Sequence, residues 1–129
     1  MNTARILSVV IGGAIGALSR FGLSRAIGNA ATQNLFPLST LTINAIGCLA
    51  IGFAVQLFDR VVVAGAVRDF LVIGFLGAFT TFSTFALETV NLLREREWGM
   101  GLLNILASNM LGIFMVFVGV FLARLVVRG

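Results

Sequence analysis

The stretch Gly74-Phe75-Leu76-Gly77-Ala78-Phe79-Thr80-Thr81-Phe82-Ser83-Thr84-Phe85 decides the fold. It sits inside an uncharged run over residues 70–87, which at 1.5 Å rise per residue is long enough to cross most of a bilayer with about 30 Å of hydrocarbon. Four of the five residues 80–84 carry hydroxyls, and two glycines precede them. At 100° per residue those hydroxyls point to most sides of a helix, so no rotation offers lipid an all-apolar face. The segment must be enclosed by protein. Glycines and β-branched hydroxyl residues also loosen a helix. Non-helical backbone at membrane depth survives only when buried or lining a cavity, where its carbonyls can bind ions.

The rest of the chain fits a housing for this segment. Its 129 residues are 59% hydrophobic and only 11% charged, with a mean hydropathy of +1.07, which is too apolar for a soluble domain and places it among polytopic membrane proteins. The net charge of +4 comes from nine arginines without a lysine, most of them where apolar runs end. That suits membrane flanks better than a nucleic-acid surface. With no histidine and Cys48 as the single cysteine, a disulfide framework, a zinc site and histidine acid–base catalysis are excluded within one chain. No extramembrane part is large enough for a soluble active site, so an enzyme is not expected.

Four helices are predicted in one domain spanning 1–129, over about 5–27, 39–58, 69–93 and 98–124. The first resembles a signal peptide, but cleavage would leave only further spans, so it is read as a retained helix. Gly12 and Gly16 within it form a small-xxx-small pair that lets another backbone approach, in the same chain or in a second one. Asn29, Thr32, Gln33, Asn34 and Pro37 supply turn chemistry before the second helix, for which Ser39 or Thr40 is the expected N-cap. Arg94-Glu95-Arg96-Glu97 ends the third helix at the interface, and Trp98 stands where an aromatic belt residue belongs.

With both termini on one side, that side holds Arg5, Arg60, Arg68, Arg124 and Arg128, five arginines, and the other holds Arg20, Arg25, Arg94 and Arg96, four. The positive-inside rule barely distinguishes the two orientations. Insertion both ways up would make an antiparallel homodimer possible, and a chance difference of one charge remains the plainer account.

Few residues can carry chemistry. Arg20 can snorkel to the headgroups or draw an anion into a vestibule. Asn44 can bond across helices or solvate an anion with its amide. Asn104 and Ser108 share a helix face at i, i+4, with Asn109 beside them. Phe75, Phe79, Phe82 and Phe85 follow steps of four, three and three, one stripe that suits a packing seam; the positive edges of phenylalanine rings also suit the path of a small anion. Glu88, one turn beyond Phe85, is read as structural ahead of a proton relay.

These residues carry a family resemblance covering nearly the whole chain. It rests on Gly12-Gly13-Ala14-Ile15-Gly16-Ala17-Leu18-Ser19-Arg20-Phe21, on Thr40-Leu41-Thr42-Ile43-Asn44 with Gly47, and on Gly74-Phe75-Leu76-Gly77 running into Thr80-Thr81-Phe82-Ser83-Thr84-Phe85 with Glu88. The sequence resembles the fluoride channels of the Fluc/CrcB type. The resemblance implies an all-α membrane protein whose third helix breaks at mid-membrane. It implies an antiparallel dual-topology homodimer in the bacterial inner membrane, with two pores through which fluoride passively leaves the cytoplasm, so conferring fluoride resistance. It further implies a structural sodium ion on the dimer axis, held by main-chain carbonyls of Gly77 and Thr80 from both subunits. Pore phenylalanines fall on Phe82 and Phe85, the pore asparagine on Asn44 and the vestibule arginine on Arg20. Thr81, Ser83 and Thr84, with Asn104 and Ser108, complete the implied anion track. Ser39 and Ala78 stand where glycine is usual, and Asn104 where some relatives carry tyrosine. The runner-up is a proton-coupled exporter of the small multidrug-resistance type, but such exporters use a carboxylate in the first helix, where this chain has none.

Overall fold

A computed structural model describes residues 2–30 and 35–127; Thr32, Gln33 and Asn34 of the expected turn, and Arg128, lie outside them. Where no water satisfies the backbone, a helix bonds its peptide groups within one segment, and every regular element among the described residues is helical. In chain order these are α1 (Thr3–Ala30), α2 (Leu38–Phe58), α3 (Gly65–Arg68), a π-helical segment (Asp69–Leu76), α4 (Gly77–Phe79), α5 (Phe82–Arg94) and α6 (Trp98–Val127). They make four segments long and apolar enough to cross a membrane, Thr3–Gly28, Leu38–Phe58, Gly65–Arg94 and Trp98–Val127.

Two glycine seams hold the spans together. Gly12 and Gly16 of α1 lie so close to the third span that an added Cβ would run into the carbonyl oxygens of Phe70 and Phe75. Gly74 answers from the other side, where a Cβ would sit 2.8 Å from the Val9 carbonyl oxygen and 3.1 Å from the Gly12 Cα. The small-residue pair of the first helix therefore packs within the chain. α2 and α6 repeat the device: a Cβ on Gly52 would meet the Val116 carbonyl and one on Gly119 the Leu49 carbonyl. Such contacts replace side-chain burial with backbone dispersion, the main attraction available where lipid is as apolar as leucine. Arg5 pairs with Asp69, one guanidinium nitrogen donating to Asp69 Oδ1 at 3.1 Å, and so ties the start of α1 to the start of the π-helical segment.

The second helix begins one residue earlier than its sequence suggests. Pro37 occupies the N-cap position, its carbonyl accepting the Leu41 N–H at 3.2 Å, and no side chain caps the helix. Neither Ser39 nor Thr40 is the cap; the Thr40 hydroxyl donates to Glu88 Oε1 at 2.7 Å instead. That acceptor lies on another span, 48 residues away, and comes within reach only in the folded chain. α5 closes in a Schellman turn, with the Glu97 N–H on the Leu92 carbonyl (2.9 Å), the Arg96 N–H on the Leu93 carbonyl (3.2 Å) and Arg96 left-handed at φ 63°. Trp98 opens α6 with its ring largely exposed.

Candidate functional site

The third span loses its helix where its hydroxyls begin. α4 ends at Phe79, Thr80 turns extended (φ −83°, ψ 159°), Thr81 follows (φ −152°, ψ 117°), and α5 restarts at Phe82. Interrupting a helix frees backbone groups that must find partners. Thr80 closes the end of α4 twice, its N–H and its hydroxyl each donating to the Leu76 carbonyl at 3.0 Å. Asn44 of α2 takes the whole Thr81 peptide residue: its amide nitrogen donates to the Thr81 carbonyl (3.0 Å), and its oxygen accepts the Thr81 N–H (2.9 Å). Thr81 then caps α5 by accepting the Thr84 N–H at 3.2 Å, and its hydroxyl donates to Thr84 Oγ1 at 2.9 Å.

These substitutions have a definite consequence for two carbonyls. In an unbroken helix the Thr81 N–H would go to the Gly77 carbonyl and the Thr84 N–H to the Thr80 carbonyl. Asn44 takes the first of these N–H groups and the Thr81 side chain the second. Gly77 and Thr80 are thus left with carbonyls free of their intrahelical donors, and Gly77 is exposed on the surface of the single chain. Against α2 the break fits tightly, since a Cβ on Gly47 would strike the Thr80 γ-methyl.

A groove of about 340 Å³ opens beside the break, lined by Asn44, Gly47, Cys48, Ile51, Val72, Leu76, Gly77, Thr80, Thr81, Phe82, Phe85, Ser108 and Asn109. It gathers Asn44, Thr81, Phe82, Phe85 and Ser108 of the expected anion track together with both expected carbonyl residues. Phe82 is 78% exposed and packs on Phe85 with ring centroids 5.5 Å apart and planes at 49°. The four phenylalanines do not form one stripe: the two extended residues between Phe79 and Phe82 break the helical phase. Phe75 and Phe79 therefore stack separately at 5.8 Å, with Phe79 buried.

The other expected residues lie outside the groove. Ser83 and Thr84 are exposed on the first turn of α5, where Ser83 Oγ stands 3.4 Å from Thr81 Oγ1. Arg20 is half-buried on α1. Asn104 is almost fully buried at 1% exposure and donates to Thr89 Oγ1 at 2.9 Å, while accepting from Ser108 at 3.3 Å. Asn109, by contrast, lines the groove, and its amide donates to the Ile105 carbonyl at 2.7 Å. Sequence reasoning passed over Thr89 and the Thr40–Glu88 bond, because nothing local marks a hydroxyl whose partner lies on another span. Glu88 keeps Oε1 on Thr40, and its buried Oε2 has no protein partner.

The sequence model of the family described as CrcB-like protein, Camphor Resistance (CrcB), matches residues 7–120. The chain belongs to the CrcB family. Among its relatives, a protein of Desulforapulum autotrophicum named fluoride-specific ion channel FluC is 42% identical over 123 residues, covering 95% of this chain and 98% of the relative. One of the same name from Magnetococcus marinus is 42% identical over 95% of this chain and 99% of its own. Another from Thermus thermophilus is 42% identical over 89% of this chain and 91% of its own. This member of the CrcB family is therefore similar over nearly its whole length to proteins named as channels.

Proposed function

We propose that this chain is a fluoride channel of the bacterial inner membrane, working as an antiparallel pair of copies and passing fluoride out of the cytoplasm by diffusion. The observation that carries the reading is the polar break in an apolar span, opening onto a groove walled by phenylalanine rings and hydroxyls. Fluoride is small and strongly hydrated, so its passage requires N–H, O–H and positive ring edges in place of water, within a bore that refuses larger anions. The groove supplies them. Asn44 has a second amide hydrogen beyond the one given to Thr81. Outside the groove but bonded to its Thr81, Thr84 accepts that hydroxyl's hydrogen and keeps its own. Ser108 can turn its hydroxyl out of a long 3.3 Å bond.

Pairing answers the exposure of this site in a single chain. Phe82, Ser83, Thr84 and Gly77 would meet hydrocarbon unless covered, and a second copy inverted in the membrane offers matching polar surface. The freed carbonyls of Gly77 and Thr80 suit a hard cation such as sodium, which favours neutral oxygen donors, whereas the described residues hold no cluster of metal-binding side chains. Sodium held there would fix positive charge between two broken spans. The activity is transport, driven outward by the negative potential of the cytoplasm, without covalent chemistry.

Purified chain in liposomes, followed with a fluoride electrode, should release fluoride electrogenically with or without a proton gradient. Dependence on the gradient would overturn the channel reading. Phe82→Ile should cut the flux at least about tenfold through loss of the ring edge; unchanged flux would remove Phe82 from the path. In rigorously sodium-free buffer the pair should weaken or cease to conduct, and full activity there would remove the cation.

A further inference from the structure

A buried polar string starts and ends at the groove while passing behind it. Ser108 lines the groove on α6 and donates to Asn104 Oδ1 (3.3 Å); Asn104 Nδ2 donates to Thr89 Oγ1 (2.9 Å); the Thr89 hydroxyl donates to the Phe85 carbonyl (2.8 Å), and Phe85 lines the groove on α5. Every donor points the same way, toward Phe85. Thr89 is 6% exposed and Asn104 is 1% exposed, so the middle of the string is shut off from solvent and lipid alike.

Each link is determined by its neighbours. A threonine hydroxyl has one hydrogen, here given to the Phe85 carbonyl, while Oγ1 accepts from Asn104 with one of its two lone pairs. Phe85 sits in the first turn of α5, whose N-terminal end has no preceding helix to hold it. Asn44 and Thr81 secure the start of that turn; the Thr89 bond secures its Phe85 end from inside. A hydroxyl bonded to the carbonyl four residues back also biases the local bend of a helix, and with it the direction of the ring.

We infer that Thr89, anchored by Asn104, is a positioning residue that sets the Phe85 ring against the groove. The inference rests on the channel reading, in which Phe85 borders the anion path. Asn104 then serves this chain as the anchor of a clamp between α5 and α6, out of reach of the anion.

The test is fluoride flux and the fluoride-over-chloride permeability ratio of the purified chain in liposomes. Thr89→Val, close in shape but without the hydroxyl, should lower flux about tenfold, the equivalent of about 1.4 kcal/mol, and reduce the ratio, while Thr89→Ser should restore both. Asn104→Leu should do the same as Thr89→Val, and the double variant should fall no further than either alone. Should Thr89→Val not disperse as a single species, Thr89→Ala takes its place. Wild-type flux and ratio in the hydroxyl-free variant, failure of Thr89→Ser to restore them, or additive losses in the double variant would each overturn the role of Thr89. A wild-type chain that carries no fluoride would overturn the channel reading itself, a distinct result.

Discussion

The two halves of the third span solve one problem by opposite means. From Asp69 to Leu76 the span presses its backbone on α1 through glycines, and its polar anchor among the described residues is the Arg5–Asp69 pair at the end. From Thr81 onward it is held by hydrogen bonds from other spans: Asn44 on Thr81, Thr40 on Glu88 and Asn104 on Thr89. Close backbone contact is tolerant of chemistry and intolerant of volume. A hydrogen-bonded clamp is the reverse, because an unpaired buried polar group costs far more than a small misfit. The contrast assigns rigidity to the first half and a polar opening to the second.

The largest effect should come from breaking the clamp. Asn44→Leu strands both the N–H and the carbonyl of Thr81, each an orphan costing about 1–3 kcal/mol, so a loss of about 2–6 kcal/mol is expected in reversible unfolding, together with loss of fluoride flux. Retention of wild-type stability would mean that the break holds itself. Next comes volume in the other half: Gly74→Val pushes side-chain atoms into the Val9 carbonyl and the Gly12 Cα and should cost about 1–3 kcal/mol by the same measurement. If Gly74→Val weakens flux without lowering stability, the division between a rigid half and an open half is wrong. The smallest change should have the opposite sign. Arg96→Gly at the end of α5 relieves a left-handed backbone and should raise stability by about 1 kcal/mol with flux unaltered.

Much of this architecture could be read along the chain. The apolar runs mark the spans, and the run of alcohols from Thr80 to Thr84 marks where a span cannot remain an ordinary lipid-facing helix. Partners were another matter. Gly12 and Gly16 announce a close approach, yet only the folded chain identifies Phe70 and Phe75 on the far side of it. Thr40 reads as a helix cap and is instead a donor to Glu88, 48 residues away. The phenylalanine stripe fails because spacing by threes and fours keeps phase only along a continuous helix, and this one stops between Phe79 and Phe82. Asn104 looks like one of several polar groups on a helix face; its burial and its bond to Thr89 emerge only when α5 lies against α6.

By itself the sequence determined the solvent of each segment, since hydropathy, charge placement and hydroxyl content are local properties that need no neighbour to be counted. Tertiary structure alone decided which carbonyls the break sets free. Gly77 and Thr80 lose their donors because Asn44 and the Thr81 hydroxyl take them, and a hydrogen bond claimed across spans is invisible until those spans are side by side.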